Sequence, residues 1–334
     1  MALKPPVEVP QGAIRLNTDS QKLEFFAQGQ WWQMAAESAS ITTGSGRGIY
    51  GGWNSAADVT MNSIQIQSKG AGLDFGDAVS GAYECCSGAS NTRGVTAMGY
   101  AAPATVNTIQ YVTFATSGDA VDFGDTTAAE RRTVGHSSQV RALFSGSEVP
   151  AWTSGQTDVV TIASTGNGVD FGDTSNTGAS GRGAGSATRA LYIGGRYQPS
   201  GSDAEVVEYV TIAATGTWID FGDLAEAGPY GSAGSNATRA VHTADNKKID
   251  YATIATLGNW VSFGDLTRDM SHMQEGCADS TRCVFGAGYE APGTARNYIE
   301  YVEFATTGNA VDFGNLTTTG STGWGVSNAH GGLG

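Results

Sequence analysis

Apolar residues fall on both parities of a short recurring run, best preserved as Ile299-Glu300-Tyr301-Val302-Glu303-Phe304-Ala305, with parallels at 109–115, 207–213 and 249–255. β-branched and aromatic side chains dominate these runs, which predicts a pleated strand covered on both faces. A turn such as Thr307-Gly308-Asn309 or Ser117-Gly118-Asp119 follows, where Gly, Asn and Asp tolerate positive φ, and the chain returns through an Asp-Phe-Gly strand. The pair predicts a hairpin. Ahead of it lies an Arg-led strand, as in Thr188-Arg189-Ala190-Leu191-Tyr192-Ile193-Gly194-Gly195, ending in glycines where backbones crowd or bend. A fourth, weakly patterned strand is expected in the Ser, Gly and Ala-rich segment before each Arg.

The pattern repeats in phase. Asp-Phe-Gly-Asp or a near variant places phenylalanines at Phe75, Phe123, Phe171, Phe221, Phe263 and Phe313, with intervals of 48, 48, 50, 42 and 50 residues. The Arg marker keeps the same beat at Arg47, Arg93, Arg141, Arg189, Arg239 and Arg282. A unit of this length with several short strands predicts an all-β fold, a six-bladed β-propeller of kelch-like repeats. A β-solenoid would need much shorter coils. The expected division is an N-terminal β arm, residues 1–40, and a propeller, residues 41–334. After Phe313 the tail Gly325-Val326-Ser327-Asn328-Ala329-His330 occupies the slot that elsewhere leads into an Arg-led strand. It is expected to supply the missing strand of the blade begun near Arg47, removing the exposed edges.

Composition narrows the function. With 32 acidic against 18 basic residues the chain carries a formal charge of −14, which disfavours a nucleic-acid surface and favours solubility. No apolar run approaches the ~20 residues of a membrane span, and the N-terminus lacks a signal-peptide pattern. The expectation is a protein made in a cytoplasm, without membrane insertion. Cys85 and Cys86 are adjacent and cannot readily pair; Cys277 and Cys283 are read as reduced packing residues, a bridge between them being the alternative. His136, His242, His272 and His330 are scattered over different units, so no metal site and no cofactor is expected.

Asp-Phe-Gly also opens the metal-binding motif of protein kinases, but here it recurs five times, with Ser262 in the remaining unit, and the Lys strand and His-Arg-Asp loop are missing. The motif is therefore read as scaffold. Phe is an inter-blade core side chain, Gly a tight bend, and the second Asp (Asp77, Asp125, Asp173, Asp223, Asp265, with Asn315 last) a turn residue bonding its own backbone, with calcium binding as the alternative. Most acids also recur in phase, as a scaffold requires and a single catalytic pair does not. No enzyme is expected.

Function is sought where units differ, because loops on a rigid scaffold carry recognition. The connection after the Arg-led strand is long in five units and brings Trp53, Tyr100, Trp152, Tyr197 and Tyr289 toward one rim; in the fifth it shrinks to Ala244-Asp245-Asn246-Lys247-Lys248. Aromatics beside polar groups suit sugar or protein contact. The alternative is that each aromatic covers its own blade edge.

The arm, Gly12-Ala13-Ile14-Arg15-Leu16-Asn17-Thr18-Asp19-Ser20-Gln21-Lys22-Leu23-Glu24-Phe25-Phe26 followed by Gly29-Gln30-Trp31-Trp32, reads as two strands about an Asn-Thr-Asp-Ser turn. It resembles a module near the start of tail-fibre and other virion proteins of tailed phages. The repeat unit, as at Ile299 to Leu316, resembles the kelch-like propeller repeats of marine phages, particularly cyanophages. The resemblance covers about residues 12–34 and most of 40–334. Unit five departs from it at Asp245 to Lys248, and Leu16 stands where an aromatic is common. The resemblance implies a virion structural protein, such as a tail fibre or appendage displayed for host recognition, with a capsid or tail decoration or adaptor as the alternative and a polysaccharide-degrading enzyme behind both. Phe25, Phe26, Trp31 and Trp32 form an apolar cluster expected to attach the arm to other virion proteins. The propeller is expected to meet a host cell-surface glycan or protein.

Overall fold

The computed structural model describes residues 9–17, 22–33, 46–53, 58–146, 155–175, 178–197, 200–244 and 246–333. The chain divides into two compact units, Met1–Gly44 and Ser45–Gly334.

The smaller unit holds a three-stranded antiparallel sheet, Ile14–Asn17, Lys22–Ala27 and Gln30–Gln33, one strand more than the sequence predicts; the expected turn at 18–21 lies outside the described residues. Strand alternation puts Ile14, Phe25 and Trp32 in register on one face, with Leu16 opposite Leu23 beside them, and all five are exposed. Phe26 and Trp31 lie on the other face, edge-on at 5.3 Å, with the Arg15 guanidinium 4.1 Å over the Trp31 ring and Arg15 Nε donating to Glu24 at 2.9 Å. The expected single cluster of Phe25, Phe26, Trp31 and Trp32 is thus split in two, because neighbours in a strand point to opposite sides.

The larger unit is all-β and propeller-like. Among its described residues stand six four-stranded antiparallel sheets, each running from a short first strand through the Arg-led strand and the Tyr-type strand to the Asp-Phe-Gly strand, as in Cys86–Ala89, Arg93–Ala97, Thr108–Thr113 and Val121–Asp125. One sheet is closed by the chain's end: Trp324–Ser327 pairs with Arg47–Gly51, as the tail's position predicts. The first strands pack in cyclic order, Cys86–Ala89 on Val134–Ser137, then Arg182–Gly185, Ser232–Ser235, Cys277–Ala278, Trp324–Ser327 and back, which gives the unit an axis. No helix of the described residues is long and apolar enough to cross a membrane.

Neighbouring sheets are held by the recurrent residues. Each motif Phe is skipped in the register, as where Ile109 pairs with Gly124 and Gln110 with Asp122, and this bulge leaves Phe123 buried against Phe144, Val160 and Ile162 of the next sheet. Phe75, Phe171, Phe221, Phe263 and Phe313 are buried alike, Phe313 among Tyr50, Ile64 and Ile66 of the first sheet. Burying each such ring contributes about 1.5–3 kcal/mol.

The motif Gly is not a bend but a point of contact. Its unit's Phe carbonyl accepts the amide of the next unit's turn Gly, Gly118 to Phe75 at 2.7 Å and Gly216 to Phe171 at 3.0 Å, and so round to Gly70 on Phe313. A Cβ on Gly172 would lie 2.3 Å from the Gly216 carbonyl oxygen. The second Asp likewise does not bond its own backbone. Its amide is capped by the next unit's turn residue, Asp77 by Asp119 at 3.0 Å and Asp265 by Asn309 at 3.0 Å, because the edge strand lies against that turn. The Arg marker spans the same joint: Arg141 donates to the Ile212 and Ala213 carbonyls, each at 3.1 Å, and Arg282 to Gln67 O at 2.9 Å.

Buried acids and amides serve as caps too. Asp158 accepts from the Thr127 amide at 2.7 Å, Asp250 from Ala225 at 3.2 Å, Glu300 from Thr267 at 2.8 Å, and Asn62 from Thr317 at 2.7 Å. Among the described residues no group of three or more His, Cys, Asp or Glu is placed to hold a metal ion. All four cysteines are free and buried, and burial pushes their thiols up, Cys277 to about 12. Cys277 and Cys283 are therefore not bridged.

Candidate functional site

Each passage from an Asp-Phe-Gly strand to the next sheet's first strand runs in toward the axis through one non-glycine residue with left-handed backbone. These are Glu84 (φ 59°), Arg132 (56°), Ser180 (65°), Tyr230 (60°), His272 (50°) and Thr322 (54°), each nine residues beyond its motif Phe. A closed ring of backbone hydrogen bonds joins them. Arg132 N donates to Glu84 O at 2.8 Å, Ser180 N to Arg132 O at 2.9 Å and Tyr230 N to Ser180 O at 3.0 Å. Met273 N, beside His272, continues to Tyr230 O, Thr322 N to His272 O and Glu84 N to Thr322 O, each at 2.8 Å. The left-handed conformation costs a non-glycine residue about 1 kcal/mol or more, and here the ring of amides and carbonyls enforces it.

Six different side chains thereby face one mouth. Glu84 is buried between two guanidiniums, with Arg132 Nε at 2.9 Å and Arg131 Nη1 at 3.5 Å. Tyr230 stacks on His272, centroids 4.3 Å apart and planes 9° from parallel, with the Arg132 and Arg196 guanidiniums each 5.4 Å from its ring centre. Burial lowers the His272 pKa, and Arg182, Arg132 and Arg196 lower it further against the opposing pull of Glu84, so the imidazole stacks as the neutral form near pH 7. Arg182 lies beneath, buried, donating to the carbonyls of Gly231, Gly181 and Met273 at 2.6, 2.9 and 2.8 Å. The Ser180 hydroxyl is buried without a hydrogen-bond partner. Glu84, Arg132, Ser180, Arg182, Tyr230 and Thr322 enclose a recess of about 10 Å³.

The long connections dock around this ring. Tyr100 pairs with Tyr83, Arg196 with Ala179 and Tyr289 with Ser271, in each case the residue just before a ring position. Tyr83 and Tyr100 meet edge-on at 5.6 Å under the Arg131 guanidinium, and Tyr289 meets His272 at 5.8 Å. Of the expected rim aromatics, then, Tyr100 and Tyr289 reach the mouth. Tyr197, one residue past the ring-facing Arg196, instead lines a separate recess with Tyr192 and Glu208. Trp53 is not on the rim: it is 4% exposed, covered by Gly320, with its indole N–H donating to Thr60 O, because the chain turns inward at Gly52. Trp152 lies outside the described residues. The ring residues themselves were missed, although a position in constant phase whose residue type never repeats is a legible signal.

Below the mouth the first strands enclose a narrow channel of about 50 Å³, lined by Ser87, His136, Ser137, Ser235, Glu275 and His330 among others. Burial pushes Glu275 up to about 7, opposed by the Ser87 hydroxyl, by Arg182 and by the amides of Gly135 and Gly325. Burial holds His136 at about 3 and His330 at about 4. The far end is filled by the last turn, where Gly331 packs on the carbonyls of Asn236 and Gly185, and Gly332 on that of Ser137. A small ligand therefore meets the axis from the ring side.

No protein-family model and no curated protein sequence matches the chain. A solved structure titled "Structure of YjhT" is similar in fold, with a TM-score of 0.64 at 10% identity over 80% of this chain and 97% of that one. At that identity the likeness concerns the fold alone.

Proposed function

We propose that the chain is a virion structural protein of a tailed phage, a six-bladed kelch-like β-propeller whose axial mouth recognises the host surface. The carrying observation is the ring at Glu84, Arg132, Ser180, Tyr230, His272 and Thr322, where one backbone geometry presents six unlike side chains. Six in-phase four-stranded sheets whose first strands close a cycle support the blade count. The phage assignment rests on the resemblance of the arm and repeat sequences to phage virion proteins. A binding role fits the chemistry better than catalysis, because the buried carboxylates Asp158, Asp250 and Glu300 are committed to amides of neighbouring sheets. The arm mounts the protein on other virion proteins through Ile14, Leu16, Leu23, Phe25 and Trp32.

That exposed arm face also favours the second reading, a decoration or adaptor that holds virion proteins together. Particles carrying Tyr100→Ala with Arg196→Gln separate the two. Host adsorption is expected to fall about tenfold, the loss of roughly 1.4 kcal/mol of contact. Unchanged adsorption, together with loss of the protein from particles when residues 1–40 are deleted, would favour the adaptor. Shortening of host polysaccharide on incubation with the protein would instead mark an enzyme.

A further inference from the structure

The mouth is chemically unlike the rest of the molecule. In a chain of formal charge −14, Arg131, Arg132, Arg182 and Arg196 gather at one opening, against Glu84 within the ring and Asp203 at 3.0 Å from Arg196. We propose that this mouth takes the anionic group of an acidic saccharide, a carboxylate or phosphate borne on a sugar ring; the assignment rests on the host-recognition reading above.

Three observations carry it. Arg182, Arg132 and Arg196 all act on His272 against the one carboxylate Glu84, so the local field is that of the guanidiniums. Guanidiniums match planar carboxylates and phosphate oxygens with paired donors. The recess among Glu84, Arg132, Ser180, Arg182, Tyr230 and Thr322, about 10 Å³, has room for one small polar group and no more. Its wall holds the buried, unpartnered Ser180 hydroxyl, a donor for such a group. The rim outside is aromatic: Tyr83, Tyr100 and Tyr289, all half-buried, offer apolar faces to the ring of a sugar while the charged head sits inward. A neutral glycan would leave the guanidiniums without an anion, and a flat polyanion would not enter so small a recess.

The test is calorimetric titration of the full chain with trigalacturonate, its methyl ester, galactotriose and galactose 6-phosphate. Trigalacturonate or the sugar phosphate is expected to bind at least about tenfold more tightly than the uncharged pair, with affinity falling as salt rises. Whichever acid binds identifies the source of the anion. Arg132→Gln is expected to weaken the acid by about tenfold and leave any neutral binding unchanged. Arg196→Gln, at a half-exposed side chain whose loss does not threaten the fold, should weaken it about threefold. Equal binding of acid and methyl ester would overturn the anionic class while leaving recognition standing. If no probe binds, the class also falls, and adsorption by the mouth variants then decides recognition separately: lost adsorption keeps it, normal adsorption removes it.

Discussion

The position of each motif Phe and the position nine residues beyond it share one geometry and differ in sequence behaviour. At the first, six phenylalanines are followed by six glycines, and each Phe carbonyl and Gly surface meets the turn of the next sheet. At the second, equally regular in backbone, stand Glu, Arg, Ser, Tyr, His and Thr. Identical residues are found where each unit must fit the next in the same way. Unlike residues are found where the backbone alone closes the ring and the side chains are left to meet something else.

Substitutions in a single unit set the two positions against each other. Gly172→Ala should cost about 3 kcal/mol or more, because its Cβ would fall 2.3 Å from the Gly216 carbonyl and its φ of +140° suits only glycine. A denaturant midpoint unchanged from the parent would break the claim that this contact is a clasp.

A second comparison uses pH. Glu275 lies in the channel just below the ring and is raised from 4.5 to about 7 only in the folded chain. Between those values the folded state binds more protons than the unfolded one, so this contribution is fully present below pH 4.5 and lost as the pH rises to about 7. The full effect is on the order of 3 kcal/mol. His136, His242 and His330, held below their usual 6.5, act in the opposite sense, gaining stability as pH rises toward 6.5. The readout is therefore the difference between parent and Glu275→Gln: the variant should gain melting temperature over the parent steadily from pH 4.5 to 7. A constant difference would show that Glu275 is not held protonated there.

The smallest effect is also the most pointed. Ser180→Gly should stabilise the chain by up to about 1 kcal/mol, since glycine adopts φ 65° without the cost borne by serine. A stabilising glycine at a ring position that weakens adsorption would mean that the left-handed serine is retained for its side chain. Destabilisation would mean that its hydroxyl serves packing.

Much of the fold was legible because it repeats. Phe123 and its counterparts, the Arg markers and the closing strand at Val326 were placed from phase alone, since a unit that cannot bury its own faces must present the same residues to every neighbour. The roles of single residues were less legible. Gly172 was read as a bend and Asp77 as a self-bonded turn, yet both act across a joint between sheets, and contacts between units separated by about fifty residues leave no trace in local pattern. Trp53 was assigned to the rim from loop composition, whereas the turn at Gly52 directs it into the core.

The sequence by itself therefore determined the strands, their sixfold phase and the residues that lock one sheet to the next, because these depend on periodic burial and on turn chemistry that repeat along the chain. Only the tertiary structure decided which positions share the axis. Glu84 and Thr322 are 238 residues apart and joined by a backbone hydrogen bond of 2.8 Å, and it is the closing of the first strands into a cycle that brings Arg131, Arg132, Arg182 and Arg196 to one mouth.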